Sequence, residues 1–394
     1  MVDYLERYHR LANKNVDGRM DLARWCGLRG MEQQQADLLG EVLKIQPDHP
    51  TAYGELLEVD AKRARPVDKA WVEKLSNLLG GGFRLQHSAH FTLLTDCDEK
   101  IASLQAEALE DAYASFYREV PALGLRPMPP PGRLVCILFE KLDDCRDFLS
   151  RFENVTTTWG AGYYSWRTNR VAFYYDRDNP AFKEVRQSLA NLERSVADLR
   201  GEMDRLPADA NVERTVIRDR IKRLDTQRAD MEKRLTEASR LATLAKTRHE
   251  AAHQLLFNSG LMFRGRDYPF WLSEGLAVNF ELCDPQGHTG PKHANQYRLR
   301  SYRFAREGGR LLKLDDLLTS RPQEGADAER VAEQYAQAWG LVHFLWNKRP
   351  EQLAGFMRQV QSESPRDWMG LFQKHFGDDM AAMEGELRHY LDSL

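Results

Sequence analysis

The chain has 394 residues, enough for two or three units with ample core, and its formal net charge of -3 gives no basic footprint, so nucleic acid is excluded as an expected partner. With 42% hydrophobic and 29% charged residues it has too much apolar side chain for a disordered protein and reads as globular with exposed charged helices. No apolar run is long enough to span a bilayer, so no membrane span is expected.

The start, Met1-Val2-Asp3-Tyr4-Leu5-Glu6-Arg7, lacks a signal-peptide core, which makes the cytoplasm the default compartment unless a leader has been removed. Residues 1 to about 62 read as short helices. Gly30 and Pro47 bracket Ala36, Leu39 and Leu43, a spacing similar to one tetratricopeptide-type helical hairpin. Such a hairpin implies a peptide-docking or dimerisation surface or, because solenoids need three or more repeats, a helical cap on an enzyme domain. Gly80-Gly81-Gly82 marks a boundary.

Beyond it, His90 to Leu94, Arg133 to Phe139, Gly160 to Trp166 and Arg170 to Tyr175 are rich in β-branched and aromatic residues and predict four strands. An amphipathic helix is expected from about Asp98 to Val120, and the whole suggests a small mixed sheet. The five cysteines are scattered without Cys-x-x-Cys spacing, which argues against a disulfide framework and a cysteine-bound metal.

Val185, Leu189, Leu192, Val196, Leu199, Met203 and Leu206 alternate spacings of four and three, a heptad seam. After the break at Pro207 a second seam runs from Ile217 to Ala245, interrupted at Arg228. Two such arms describe an antiparallel coiled-coil hairpin, an insertion that offers a protein partner or a second copy a place to bind. Asn211 to Ser259 contains neither Gly nor Pro, so one helix is expected to continue from the hairpin tip into the segment that carries the chemistry.

That segment is His249-Glu250-Ala251-Ala252-His253, followed 21 positions later by Glu274 in Trp271-Leu272-Ser273-Glu274-Gly275-Leu276-Ala277. Imidazoles four apart on a helix share a face and can reach one ion. Zinc takes His nitrogen and carboxylate oxygen, prefers four ligands, and in catalytic sites leaves one position to water. His249, His253 and Glu274 are the candidate ligands for one Zn2+ per chain, with Glu250 placed to take a proton from the water. The alternative is that the imidazoles are ordinary core or surface groups and Glu274 caps a helix.

The two motifs together resemble the gluzincin group of zinc metallopeptidases, which includes thermolysin-like enzymes and the aminopeptidases related to leukotriene A4 hydrolase. The resemblance implies zinc ligands His249, His253 and Glu274 and general base Glu250. Glu281, seven after the third ligand, matches an acidic position of the aminopeptidase branch and would orient a ligand imidazole. The thermolysin branch has Asp four after the ligand, where this chain has Val278. A tyrosine on a later helix stabilises the oxyanion in the family; Tyr335, in Tyr335-Ala336-Gln337-Ala338-Trp339-Gly340-Leu341-Val342-His343-Phe344-Leu345, is the candidate here. Tyr335, Trp339 and Val342 also fit the plain apolar stripe of an amphipathic helix, and His343 reads as structural.

In the resembling peptidases a sheet edge pairs with the extended substrate, and Gly160-Ala161-Gly162-Tyr163 is the candidate edge. The aminopeptidases hold the substrate's amine there with a Glu that this segment lacks, which favours an endopeptidase. The expected organisation is α+β: a TPR-like helical region at 1–80, a mixed α/β sheet subdomain at 81–181, the coiled-coil insertion at 182–246 and a helical zinc-binding catalytic subdomain at 247–394. The expected function is zinc-dependent hydrolysis of peptide bonds in peptide or protein substrates. The alternatives are an interaction scaffold with a degenerate peptidase centre and a zinc hydrolase of non-peptide substrates.

Overall fold

A computed structural model describes residues 2–65, 67, 69–155, 162–282, 290–322 and 327–394. Five helices open the chain: α1 (Val2–His9), α2 (Val16–Gly27), α3 (Glu32–Ile45), α4 (Ala52–Asp60) and α5 (Lys69–Leu79). Ala23, Cys26, Leu38, Leu39, Val42 and Leu56 build a small core of their own between α2, α3 and α4. Gly30 turns the chain between α2 and α3 with φ of 65°, a conformation that costs a side chain-bearing residue free energy. Buried Asp60 fastens this unit to the rest: it pairs with Arg63 and Arg65 and accepts a hydrogen bond from the Tyr113 hydroxyl. Arg63 also donates to the Pro130 carbonyl.

The sheet segment contains β1 (Arg84–His87), β2 (Phe91–Thr95), α6 (Glu99–Ala122), β3 (Leu134–Phe139), α7 (Leu142–Phe148), β4 (Gly162–Ser165) and β5 (Arg170–Tyr174). Asp98 caps α6 by accepting from the Ile101 amide. The strand order is β1-β2-β3-β5-β4; β2, β3 and β5 are parallel, and β1 and β4 flank them antiparallel. The α+β class with one small mixed sheet is therefore as expected. The fifth strand, β1, is mostly exposed, which is why its Arg-Leu-Gln-His sequence carries no clear apolar alternation.

Next comes a long helical hairpin, α8 (Lys183–Arg205) and α9 (Asn211–Asn258). Arg200 with Asp225 and Glu193 with Arg228 pair across it in antiparallel register, and Val196, Leu199, Ile217 and Leu235 of the two seams are its buried residues. At 48 residues α9 is about 70 Å long, and it runs without a break through position 246 into the His249 segment. The remainder is helical: α10 (Phe270–Val278), α11 (Gln296–Glu307), α12 (Leu314–Thr319), α13 (Ala328–Lys348), α14 (Pro350–Ser362), α15 (Trp368–Phe376) and α16 (Met380–Asp392). No described helix is long and apolar enough to cross a membrane.

The second half of α9 is the axis of the main core, which joins α6, the sheet face formed by Leu93, Cys136, Val171 and Phe173, and α10 and α13. Polar side chains lock its rotation. Thr247 donates to Gln105 on α6 at 2.6 Å, Lys246 to the Tyr174 carbonyl at 2.8 Å, and Gln254 to the Val135 and Asn169 carbonyls at 3.1 Å each. A buried polar group left without its partner costs about 1–3 kcal/mol, so any other rotation of α9 would lose several of these at once. The lock fixes which face of the helix meets α10.

Candidate metal centre

The locked face of α9 carries His249 and His253. Their Nε2 atoms lie 3.1 Å apart. Glu274 Oε2, from α10, lies 3.1 Å from His249 Nε2 and 3.2 Å from His253 Nε2. These three are the group of side chains among the described residues that could hold a metal ion. Ligands about 2.0–2.2 Å from a tetrahedral ion stand roughly 3.3–3.5 Å from one another, so the nearly equilateral triangle fits zinc with little adjustment. The donor set of two imidazoles and one carboxylate fits it as well. Burial alone would push the Glu274 carboxyl up, but His253 and His249 outweigh it and hold the group well below the usual carboxylate range. Glu274 therefore stays ionised, as a carboxylate that is to hold a metal must be.

Glu274 reaches this point because α10 lies very close to α13. A β-carbon added at Gly275 would stand 2.5 Å from the Ala338 carbonyl oxygen and 2.6 Å from Val342 Cγ2. Residue 275 must therefore be Gly for the two helices to approach as they do. Trp271 anchors the same helix between Phe356 and Phe372, with ring centroids 5.8 and 5.5 Å away.

Glu250 is buried on α9 beside the first imidazole, and its carboxylate reaches the sheet edge. The Gly162 backbone of β4 lies against it: a β-carbon there would sit 2.8 Å from Glu250 Oε1. Burial raises the Glu250 carboxyl above its ordinary range, against the two imidazoles and Lys246 and with the help of the Glu274 carboxylate. Such a group takes and returns protons nearer neutral pH than an exposed carboxylate. β4 pairs with β5 and, among the described residues, with no other strand, so Gly162 and Tyr163 do lie on a sheet edge. Gly160 and Ala161, the other half of the expected edge, lie outside the described residues.

Glu281 stands where the motif spacing puts it, beside a ligand imidazole. Its Oε1 is 3.1 Å from His249 Nδ1, at hydrogen-bond distance with imperfect alignment. Two residues that the sequence motifs do not single out hold this carboxylate: Arg298 donates to both oxygens, at 2.7 and 3.2 Å, and Asn295 donates to Oε2 at 3.2 Å. Burial opposes the charge, but Arg298 and His249 prevail and the carboxyl falls to about 2. The only sequence signal for them is Asn295 as a helix-capping residue before α11.

Tyr335, on α13, lies beside the first ligand, with its ring centroid 6.1 Å from that of His249 and 5.0 Å from that of Phe270. Burial and then the Glu274 and Glu250 carboxylates raise its phenol well above the ordinary range, so it stays a proton donor. His343 is remote from this chemistry. It stacks on Trp339 at 5.2 Å, faces Asn279 Oδ1 at 3.2 Å, and burial lowers its imidazole to about 4.

Residues 242–367 are similar to DUF1570, a family described as proteins of unknown function. The match begins on α9 just before the His249 segment and ends after α14, so it takes in the three candidate ligands, Glu250, Glu281, Arg298 and Tyr335. It leaves out the sheet, most of the hairpin and the first five helices. No curated protein matches the chain.

Proposed function

We propose that the chain is a zinc-dependent metallopeptidase of gluzincin type, acting on peptide or protein substrates as an endopeptidase. The observation that carries this reading is the convergence of His249 Nε2, His253 Nε2 and Glu274 Oε2 to within 3.2 Å of one another, with Glu250 buried on the same helix. The two sequence motifs resemble that group, and the Gly162 edge supports a peptide rather than a small-molecule substrate.

His249, His253 and Glu274 would hold one Zn2+, which when bound supplies a Lewis acid that acidifies water and polarises a carbonyl. Glu250 takes the proton of the attacking water and hands it to the leaving amine. Its buried, raised carboxyl suits both transfers. Tyr335 donates to the oxygen on which negative charge develops. Glu281 keeps the His249 Nδ1 edge turned away from the ligand triangle, so that Nε2 faces it. The edge of β4, which among the described residues pairs only with β5, pairs with the extended substrate backbone, and the bare Gly162 lets β4 itself lie against Glu250. The substrate-edge sequence has no acidic residue to hold a free amine, hence the endopeptidase reading.

In this reading α8 and α9 form a coiled-coil spacer or partner contact, and α2 to α4 a tetratricopeptide-like cap. Metal analysis of the purified full chain tests the reading against a scaffold with a degenerate centre. One zinc per chain, lost in His253→Ala, is expected; a folded wild-type chain that takes up no zinc would overturn it.

A further inference from the structure

Four side chains from four different segments form a closed ring around one edge of the metal centre, and Arg298 is the member that touches two of the others most directly. We propose that Arg298 is a positioning residue that sets the ligand imidazole of His249 through Glu281 and the phenol of Tyr335 through its own guanidinium face. This rests on the zinc reading above and adds to it a residue that ties the metal ligands to the oxyanion donor.

The ring closes by distance. Arg298 grips Glu281 as a fork, Nη2 to Oε1 at 2.7 Å and Nε to Oε2 at 3.2 Å. The same Oε1 stands 3.1 Å from His249 Nδ1. The Arg298 guanidinium carbon lies 5.3 Å from the Tyr335 ring centroid, and that ring is 6.1 Å from the His249 ring. Phe270 packs edge-on against Tyr335 at 5.0 Å. With neighbours on these sides the phenol has little room to swing.

Arg298 is itself held in place. It is the third residue of α11, and Asn295 caps that helix by accepting from the Arg298 amide at 3.1 Å. The same Asn295 donates to Glu281 at 3.2 Å, so one residue fixes both the base of Arg298 and the carboxylate that Arg298 grips. The side chain is only 15% exposed. A planar, delocalised cation is required here, because a lysine can neither donate to both carboxylate oxygens from a fixed fork nor lay a flat face on a ring. Among the described residues, loss of the fork leaves Glu281 with Asn295 and the His249 contact, and frees the carboxylate to turn from the imidazole. Outer partners of this kind change metal affinity about 10–100-fold when removed.

The test uses the full chain as wild type, Arg298→Gln, Arg298→Lys, Glu281→Gln and the Arg298→Gln/Glu281→Gln double variant. Zinc affinity is read by competition with a chromophoric chelator, and kcat and KM at saturating zinc; near-UV circular dichroism of the metal-free forms checks the fold. Arg298→Gln is expected to weaken zinc about 10–100-fold, Arg298→Lys to recover only part of that, and the double variant to bind no more weakly than Glu281→Gln. At saturating zinc, Arg298→Gln is expected to lower kcat with KM little changed. Wild-type zinc affinity in folded Arg298→Gln, or fully additive losses in the double variant, would overturn the inference while leaving the zinc reading standing. A wild-type chain without zinc affinity would overturn both.

Discussion

Gly162 on the edge strand and Glu250 on the ligand helix are in such close approach that a β-carbon on the glycine would lie 2.8 Å from the carboxylate Oε1 and 2.8 Å from its Cγ. The space around that carboxylate is therefore set by the missing side chain of a residue 88 positions earlier in the chain. Gly162→Ala should push the carboxylate aside while leaving His249, His253 and Glu274 in place, since the atoms nearest the added carbon all belong to Glu250. Misplacing a reacting group by about 1 Å can cost about 10²-fold in rate, so kcat should fall by that order with zinc content unchanged. Kinetics and metal analysis on one preparation check this.

Tyr335→Phe separates a donor from a packing residue. The ring that packs on Phe270 survives the change; only the hydroxyl goes. An oxyanion donor removed in this way costs about 10²–10³ in kcat. Zinc affinity and thermal stability should stay near wild type. Unchanged kcat would make Tyr335 part of the apolar stripe of α13 and nothing more.

Much of this was legible in the sequence because it is local. The stretch without Gly or Pro from Asn211 to Ser259 announces α9, whose bounds are Asn211–Asn258. The four-residue spacing of His249 and His253 puts both on one helical face whatever surrounds them. Glu274 needed the second motif, and its neighbour Gly275 turns out to be what lets α10 meet α13 closely enough to deliver it. What the sequence did not disclose is contact between segments far apart in the chain. Arg298 and its helix-capping neighbour Asn295 are ordinary polar residues of a helix start until the fold sets them on Glu281. The same is true of Lys246, which lies buried against Tyr174 and Asp176.

His343 makes stability depend on pH. Burial holds its imidazole at about 4 in the folded chain against about 6.5 when unfolded, so the unfolded chain binds the proton first as pH falls. The contribution is therefore complete above pH 6.5 and is lost between there and pH 4. Between pH 7 and pH 5 the loss is about 2 kcal/mol of unfolding free energy. Urea unfolding of wild type and His343→Phe at both pH values checks it. The phenylalanine keeps a ring against Trp339 but cannot titrate, so its drop between the two pH values should be smaller by about that amount.

The central claim is that Glu250 moves protons in peptide hydrolysis beside a bound zinc. The most direct measurement is profiling of newly formed peptide termini after zinc-loaded wild-type chain or Glu250→Gln is incubated with a folded and an unfolded proteome. The account predicts new internal termini with the wild type, abolished by a zinc chelator and by Glu250→Gln while the variant still carries one zinc per chain. Equal cleavage by the variant, or no cleavage by zinc-loaded wild type in either proteome, would contradict it.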